Sequence, residues 1–214
     1  IKAYRLGLET GDFEYASYAL TEHAFTSLYI GQNLTELDEE MTSRHDAMAQ
    51  LKQEIGVHYF RQLHQVVENL MGRADDPKLL IGNHYNEELS LPLHIHSNDK
   101  NSVLVFYTLK LFLSYTFGDY ARALRCYEQT RPYMDSGMAW LGLSTFHFYT
   151  ALSCYALVSY TDKKGRKRML RLAQEGVKKV RRWARYAPMN HMHKFYLLEA
   201  ERYRVIGNEM QAAW

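Results

Sequence analysis

The sequence predicts an all-α protein built from antiparallel helical hairpins stacked as an α-α solenoid. Three observations carry that expectation. Val103 to Phe117 is an apolar block that, wound as a helix, is apolar nearly all round, and Gly118-Asp119-Tyr120-Ala121-Arg122-Ala123 follows it directly. Glycine at the end of one helix accepts a left-handed backbone, aspartate caps the next, and a small residue at Ala123 lets the two helices approach. The same phrase stands at Gly11-Asp12-Phe13-Glu14-Tyr15-Ala16 and, more loosely, at Gly207-Asn208-Glu209-Met210-Gln211-Ala212. Recurrence of one turn points to a repeat architecture. Finally, 4 prolines and 12 glycines in 214 residues leave room for long helices, and no strand-like alternation runs far.

In chain order, Ile1 to Leu8 reads as the end of a helix closed at Gly11, and Asp12 to Ile30 as its partner. Thr35-Glu36-Leu37-Asp38 fits a capping box opening one long helix, in which Leu51, Ile55, Tyr59, Leu63, Val66 and Leu70 form a single stripe ending near Gly72. Arg73 to Lys100 is irregular, with a loop and then one short helix around Pro92. The central hairpin runs from Ser102 to about Tyr133, where Pro132 and Asp135-Ser136-Gly137 mark a turn. Met138 to Tyr160 reads as another apolar helix, Thr161 to Gly165 as a polar loop, Arg166 to Tyr186 as a basic helix broken by Ala187-Pro188, and His191 to Ile206 as the first arm of the last hairpin. About ten helices in a single domain spanning 1–214 follow from these stop signals.

Charge is unevenly spread. Residues 1 to 100 carry 8 Lys+Arg against 16 Asp+Glu, and residues 101 to 214 carry 18 against 8. Two cysteines, Cys126 and Cys154, lie in apolar helical stretches and form no disulfide framework, which points to a reducing, cytoplasmic setting. Ile1 starts inside one helical pattern and Trp214 ends inside another, as expected of a piece of a longer polypeptide.

Gly137 to Thr161 lacks any charged residue and precedes Lys163-Lys164-Gly165-Arg166-Lys167-Arg168, the layout of a membrane span with a basic flank. Ser144, Thr145, His147, Thr150, Ser153 and Ser159 with three tyrosines suit the inner helix of a stack better than hydrocarbon, so no span is expected. Eleven Lys or Arg fall between Lys163 and Arg185. Nucleic acid or another anionic surface is the sharp reading of that run, with Lys163, Lys164, Arg166, Lys167 and Arg168 as its contacts; a solvated outer face is the favoured one.

The pairs His94-Ile95-His96 and His191-Met192-His193 place two rings on opposite sides of a helix, so no metal or other cofactor is expected. Catalytic signatures for nucleophilic hydrolases, phosphate loops, dinucleotide folds, zinc proteases and kinases are missing from these residues. An enzyme would require a pocket joining Glu87, Glu88 and His94. The polar stretch around Glu87, Glu88 and His94, with the aromatics Tyr107 and Tyr149, is the expected partner-binding surface.

The hairpin phrase resembles the tetratricopeptide repeat. Tyr107, Gly118, Tyr120, Ala123 and Tyr127 match it in the middle copy, and Tyr196, Ala200, Tyr203, Gly207 and Ala212 in the last. Leu111 and Glu209 depart from it, and the phrases lie at irregular spacing, so the resemblance implies a degenerate, TPR-like superhelix. A wider resemblance runs from Gly11 to Glu201. The ordered blocks are Gly11 to Ala16, Leu34 to Met41, Ala49 to Ile55, Tyr85 to Glu88 with Leu91 to His94, and Ala187 to Glu201. Together they resemble the helical region between the AAA-type ATPase and the GAF sensor of very large bacterial, especially cyanobacterial, proteins joining a Ser/Thr kinase to a histidine kinase. That resemblance implies a non-catalytic cytoplasmic module contacting flanking domains or another signalling protein; it carries over no catalytic residue.

Overall fold

A computed structural model describes residues 2–137 and 140–207. The expected all-α class holds: among these residues the regular structure is helical, beyond one isolated bridge between Ile81 and Asn86. Among the described residues eleven α-helices fall into two compact units that divide between Leu109 and Lys110, inside one helix.

In the first unit, α1 (Lys2–Thr10) and α2 (Phe13–Tyr29) make the first hairpin. Gly11 takes φ +77°, the Asp12 N–H donates to the Gly7 carbonyl at 2.8 Å, and the Asp12 side chain accepts from the Tyr15 N–H. A Cβ on Gly7 would lie 2.9 Å from that of Ala16, so the two helices touch backbone to side chain. The long helix expected after Gly31 is three helices instead: α3 (Leu34–Ser43), α4 (His45–Gln50) and α5 (Glu54–Leu70). The break at Leu51-Lys52-Gln53 rests on Lys52 at φ +54°, a left-handed lysine with no glycine or proline to announce it. Nor is the cap the expected box, since Asn33 Oδ1 accepts from the Thr35 and Glu36 amides. A short-armed amide two residues earlier satisfies the same orphan donors. The expected stripe also loses Ile55, which is exposed, while Leu63, Val66 and Phe60 are buried. After the loop comes α6 (Glu87–His96), capped by Asn86 and tied back by reciprocal bonds between Leu80 and Glu87.

The helix α7 (Lys100–Thr116) is the apolar block. Its last turns belong to the second unit, with α8 (Tyr120–Thr130), α9 (Gly142–Leu157), α10 (Lys163–Tyr186) and α11 (Pro188–Ile206). The turn at Gly118 repeats the one at Gly11: φ is +75°, the Asp119 N–H donates to Ser114 at 2.8 Å, and Asp119 caps Arg122. The basic helix starts three residues earlier than the sequence indicates because Asp162 caps it through the Gly165 N–H at 2.7 Å. Phe148, Leu152, Tyr155, Val177, Val180 and Leu198 form the core of this unit. At its centre Gly176 lets α10 close on α9; a Cβ there would stand 2.7 Å from the His147 carbonyl oxygen. Gly207 ends α11 at φ +82°, but Met138 and the rest of the last turn phrase, from Asn208 through Glu209 to Ala212, lie outside the described residues. No helix among the described residues is long and apolar enough to cross a membrane.

Candidate functional site

The residues singled out by sequence are dispersed by the fold. Glu87 is half-buried at the start of α6, where its Oε2 accepts from the Leu80 N–H at 2.7 Å, and Glu88 beside it is exposed. His94, on the same helix, is 3 % exposed and faces inward, toward His58 and Asp99. Tyr107 is half-buried in the first unit, against Phe106. Tyr149 packs in the second unit between Phe112 and Tyr115 at ring distances of 5.0 and 5.2 Å, and burial pushes its hydroxyl up to about 12. Lys163, Lys164, Arg166, Lys167 and Arg168 are all exposed; Arg168 pairs with Glu128 at 2.9 Å and Arg166 donates to the Val205 carbonyl.

What linear spacing missed is a set of histidines gathered in the first unit from α4, α5, α6 and the loop between the last two. One group is a hydrogen-bonded chain. Arg73 Nη1 donates to Asp38 Oδ2 at 2.5 Å, His64 Nε2 donates to Asp38 Oδ1 at 2.8 Å, and His64 Nδ1 lies 2.8 Å from His45 Nε2. With Nε2–H committed to Asp38, neutral His64 offers a lone pair at Nδ1, and His45 is the donor. The ring centroids of His45 and His64 are 5.0 Å apart, as expected for such an N–H···N link, and His84 stacks on His64 at 3.6 Å and 9°. Burial and the neighbouring imidazoles pull His45 down to about 4. Burial lowers His64 as well, against the opposing pull of Asp38. Asp38 is pushed up by burial, but the bonds from His64 and Arg73 outweigh this and hold it below the usual carboxylate range. A chain of neutral rings ending on one ionised, paired carboxylate is a stable buried network.

The second group joins α5 to α6 and the turn after it. His58 and His94 meet with rings 4.6 Å apart at 67°, and Asp99 Oδ2 lies 3.5 Å from His94 Nδ1. The other Asp99 oxygen accepts the Ser102 N–H at 3.0 Å. Burial raises the Asp99 carboxyl, yet His94 and Ser102 prevail and bring it to about 2. His58 Nδ1 and His94 Nε2 are buried nitrogens with no hydrogen-bond partner. Leaving such a group unpaired costs about 1–3 kcal/mol, so this corner of the unit is polar beyond what packing needs.

No family model, curated protein or solved structure matches this chain. Function therefore rests on the chemistry of these surfaces. Three sets of side chains among the described residues bring ligand-capable atoms within 4.8 Å of one another: His45, His64 and His84; Asp38, Glu68 and His84; and His58, His94 and Asp99. In the first, the parallel stack of His64 and His84 keeps their in-plane lone pairs from converging, and a proton already sits between His45 and His64. In the second, both Asp38 oxygens are engaged, one by a guanidinium that repels a cation. Only the third has two buried nitrogens, His58 Nδ1 and His94 Nε2, that lack a hydrogen-bond partner. No sequence spacing joins His58 to His94; the signal available was negative, an inward-facing His94 on a helix whose other side chains are mostly exposed.

Proposed function

We propose that this chain is a non-catalytic, TPR-like helical module for protein–protein or interdomain contacts, working in the cytoplasm within a multidomain Ser/Thr and histidine kinase signalling protein of bacterial type. The observation that carries the reading is α6. Its inner side is anchored by His94 and by the Leu80–Glu87 bonds, while Leu89 and Leu93, one turn apart, are 68 % and 67 % exposed and Ile95 is 49 % exposed. Large aliphatic side chains on a rigid helix, rimmed by Glu88 and His96, make a surface suited to a partner. The setting comes from the block resemblance, which puts an AAA-type ATPase segment before such a region and a GAF segment after it.

Binding of the ATPase and GAF segments of the same polypeptide to this chain tests the reading. Leu89→Ala with Leu93→Ala should weaken capture of one of them at least tenfold, whereas Tyr149→Ala should act through stability alone. Undiminished capture by the double variant would remove α6 from the account.

A second reading, contact with nucleic acid or an anionic surface, draws on α10, whose eleven basic side chains are all exposed. If it holds, affinity for duplex DNA falls steeply with salt, with a log–log slope of about −0.9 per phosphate engaged. Neutralising Lys163, Lys164, Arg166, Lys167 and Arg168 would then abolish it.

A further inference from the structure

The pair His58 and His94 has the features of a metal centre rather than of a packed core. His94 is almost wholly buried, yet its Nε2 meets no partner, and the same is true of His58 Nδ1. The rings cross at 67°, so their in-plane lone pairs can point to a common position, unlike the stacked rings of His64 and His84 at 9°. Behind His94, Asp99 Oδ2 faces Nδ1 at 3.5 Å. A carboxylate on one imidazole nitrogen fixes the tautomer that leaves the other nitrogen as a lone pair, the arrangement found behind metal-ligating histidines. Asp99 is itself held by the Ser102 N–H at 3.0 Å and is followed by the N-terminal turn of α7. His58 and Asp99 are only partly buried, while the two nitrogens themselves are enclosed.

We propose that His58 Nδ1 and His94 Nε2 bind a divalent first-row transition metal ion of the Zn²⁺ class, with Asp99 as the positioning carboxylate and water completing the shell. Imidazole nitrogens select such ions over Mg²⁺ and Ca²⁺. Metal–nitrogen bonds of about 2.0–2.1 Å in a tetrahedral shell place two donors roughly 3.3 Å apart. One ring nitrogen of each histidine and an Asp99 carboxylate oxygen lie within 4.8 Å of one another, so the three groups are close enough to be gathered on one ion by rotation of the half-buried His58 ring. Because His58 is on α5 and His94 on α6, the ion would bridge the two helices and hold α6, with its exposed leucines, in place. This inference stands whether or not α6 is the docking face.

The experiment is calorimetric titration of the full, chelator-stripped chain with Zn²⁺, repeated with Co²⁺ read by its visible ligand-field absorption. One equivalent should bind saturably at micromolar metal. His58→Ala should weaken binding at least tenfold and Asp99→Asn by about 10–100-fold, while His45→Ala leaves it unchanged. Absence of saturable binding by the unaltered chain, or equal affinity in His58→Ala, overturns the proposal; so does loss in His45→Ala alone, which would assign the ion to the other histidine group. Should a variant fail to fold, imidazole ¹⁵N resonances of the unaltered chain decide. Zn²⁺ must shift His58 Nδ1 and His94 Nε2 and spare the His64 ring, and unmoved His58 and His94 resonances refute the site.

Discussion

Replacing Asp38 by alanine removes the acceptor on which the buried chain of the first unit ends. Its two bonds differ in kind. His64 is fully buried, and without Asp38 its Nε2–H loses a charged acceptor at 2.8 Å. The arithmetic for a buried donor left unsatisfied is about 1–3 kcal/mol. Arg73, by contrast, has a side chain 45 % exposed, so its ion pair at 2.5 Å is screened and adds about 0.5–1 kcal/mol. The Asp38→Ala cost is thus about 1.5–4 kcal/mol, and that of Arg73→Ala no more than about 1 kcal/mol. In urea, with a slope of about 2 kcal/mol/M, the first variant should shift the midpoint of helix loss by about 0.75–2 M and the second by no more than about 0.5 M. The asymmetry is the test. Equal shifts would mean that the Asp38–His64 bond contributes no more than a surface pair, and the reading of this network would be wrong.

Three further outcomes follow from the same geometry. Gly176→Ala gains about 1 kcal/mol of helix propensity but drives a Cβ to 2.7 Å from the His147 oxygen, and overpacking of about 1–3 kcal/mol should leave a net loss in thermal unfolding; a higher melting temperature would show that α9 and α10 separate freely. His147, held down to about 4 by burial and then by Lys179, stays neutral in the fold, so its contribution is complete above pH 6.5 and is lost as pH falls toward 4. The difference between the unaltered chain and His147→Phe should therefore grow by up to about 3 kcal/mol over that window, read by Trp183, whose ring lies 5.7 Å from His147; a constant difference refutes it. Cys154, buried and raised to about 12, should resist thiol reagents in the native chain and react on unfolding, and rapid native labelling at that residue would contradict its placement.

Local chemistry made much of the fold legible. Gly11-Asp12 and Gly118-Asp119 encode the same left-handed glycine and the same aspartate cap, whereas Pro188, which reads as a break before a helix at His191, opens α11 three residues earlier at its first turn, where its missing N–H is not needed. The break between α4 and α5 escaped because left-handed Lys52 leaves no compositional trace, and the start of α3 shifted because Asn33 and Thr35 are both credible caps. The histidine groups escaped for a different reason. His45, His64 and His84 come together, as do His58, His94 and Asp99, only once α5 is packed against its neighbours, and helical spacing within one segment carries no information about such pairs. Tyr149 shows the converse: an aromatic that reads as a binding surface is spent on packing against Phe112 and Tyr115.

The central claim, that α6 is a docking face for a neighbouring domain, is tested most directly by amide hydrogen exchange on the chain alone and joined to the ATPase and GAF segments that the proposed setting would place beside it. Exchange across Glu87–His96 should be slower in the joined protein, and Leu89→Ala with Leu93→Ala should reverse the slowing. Identical exchange over α6 in both contexts would contradict it.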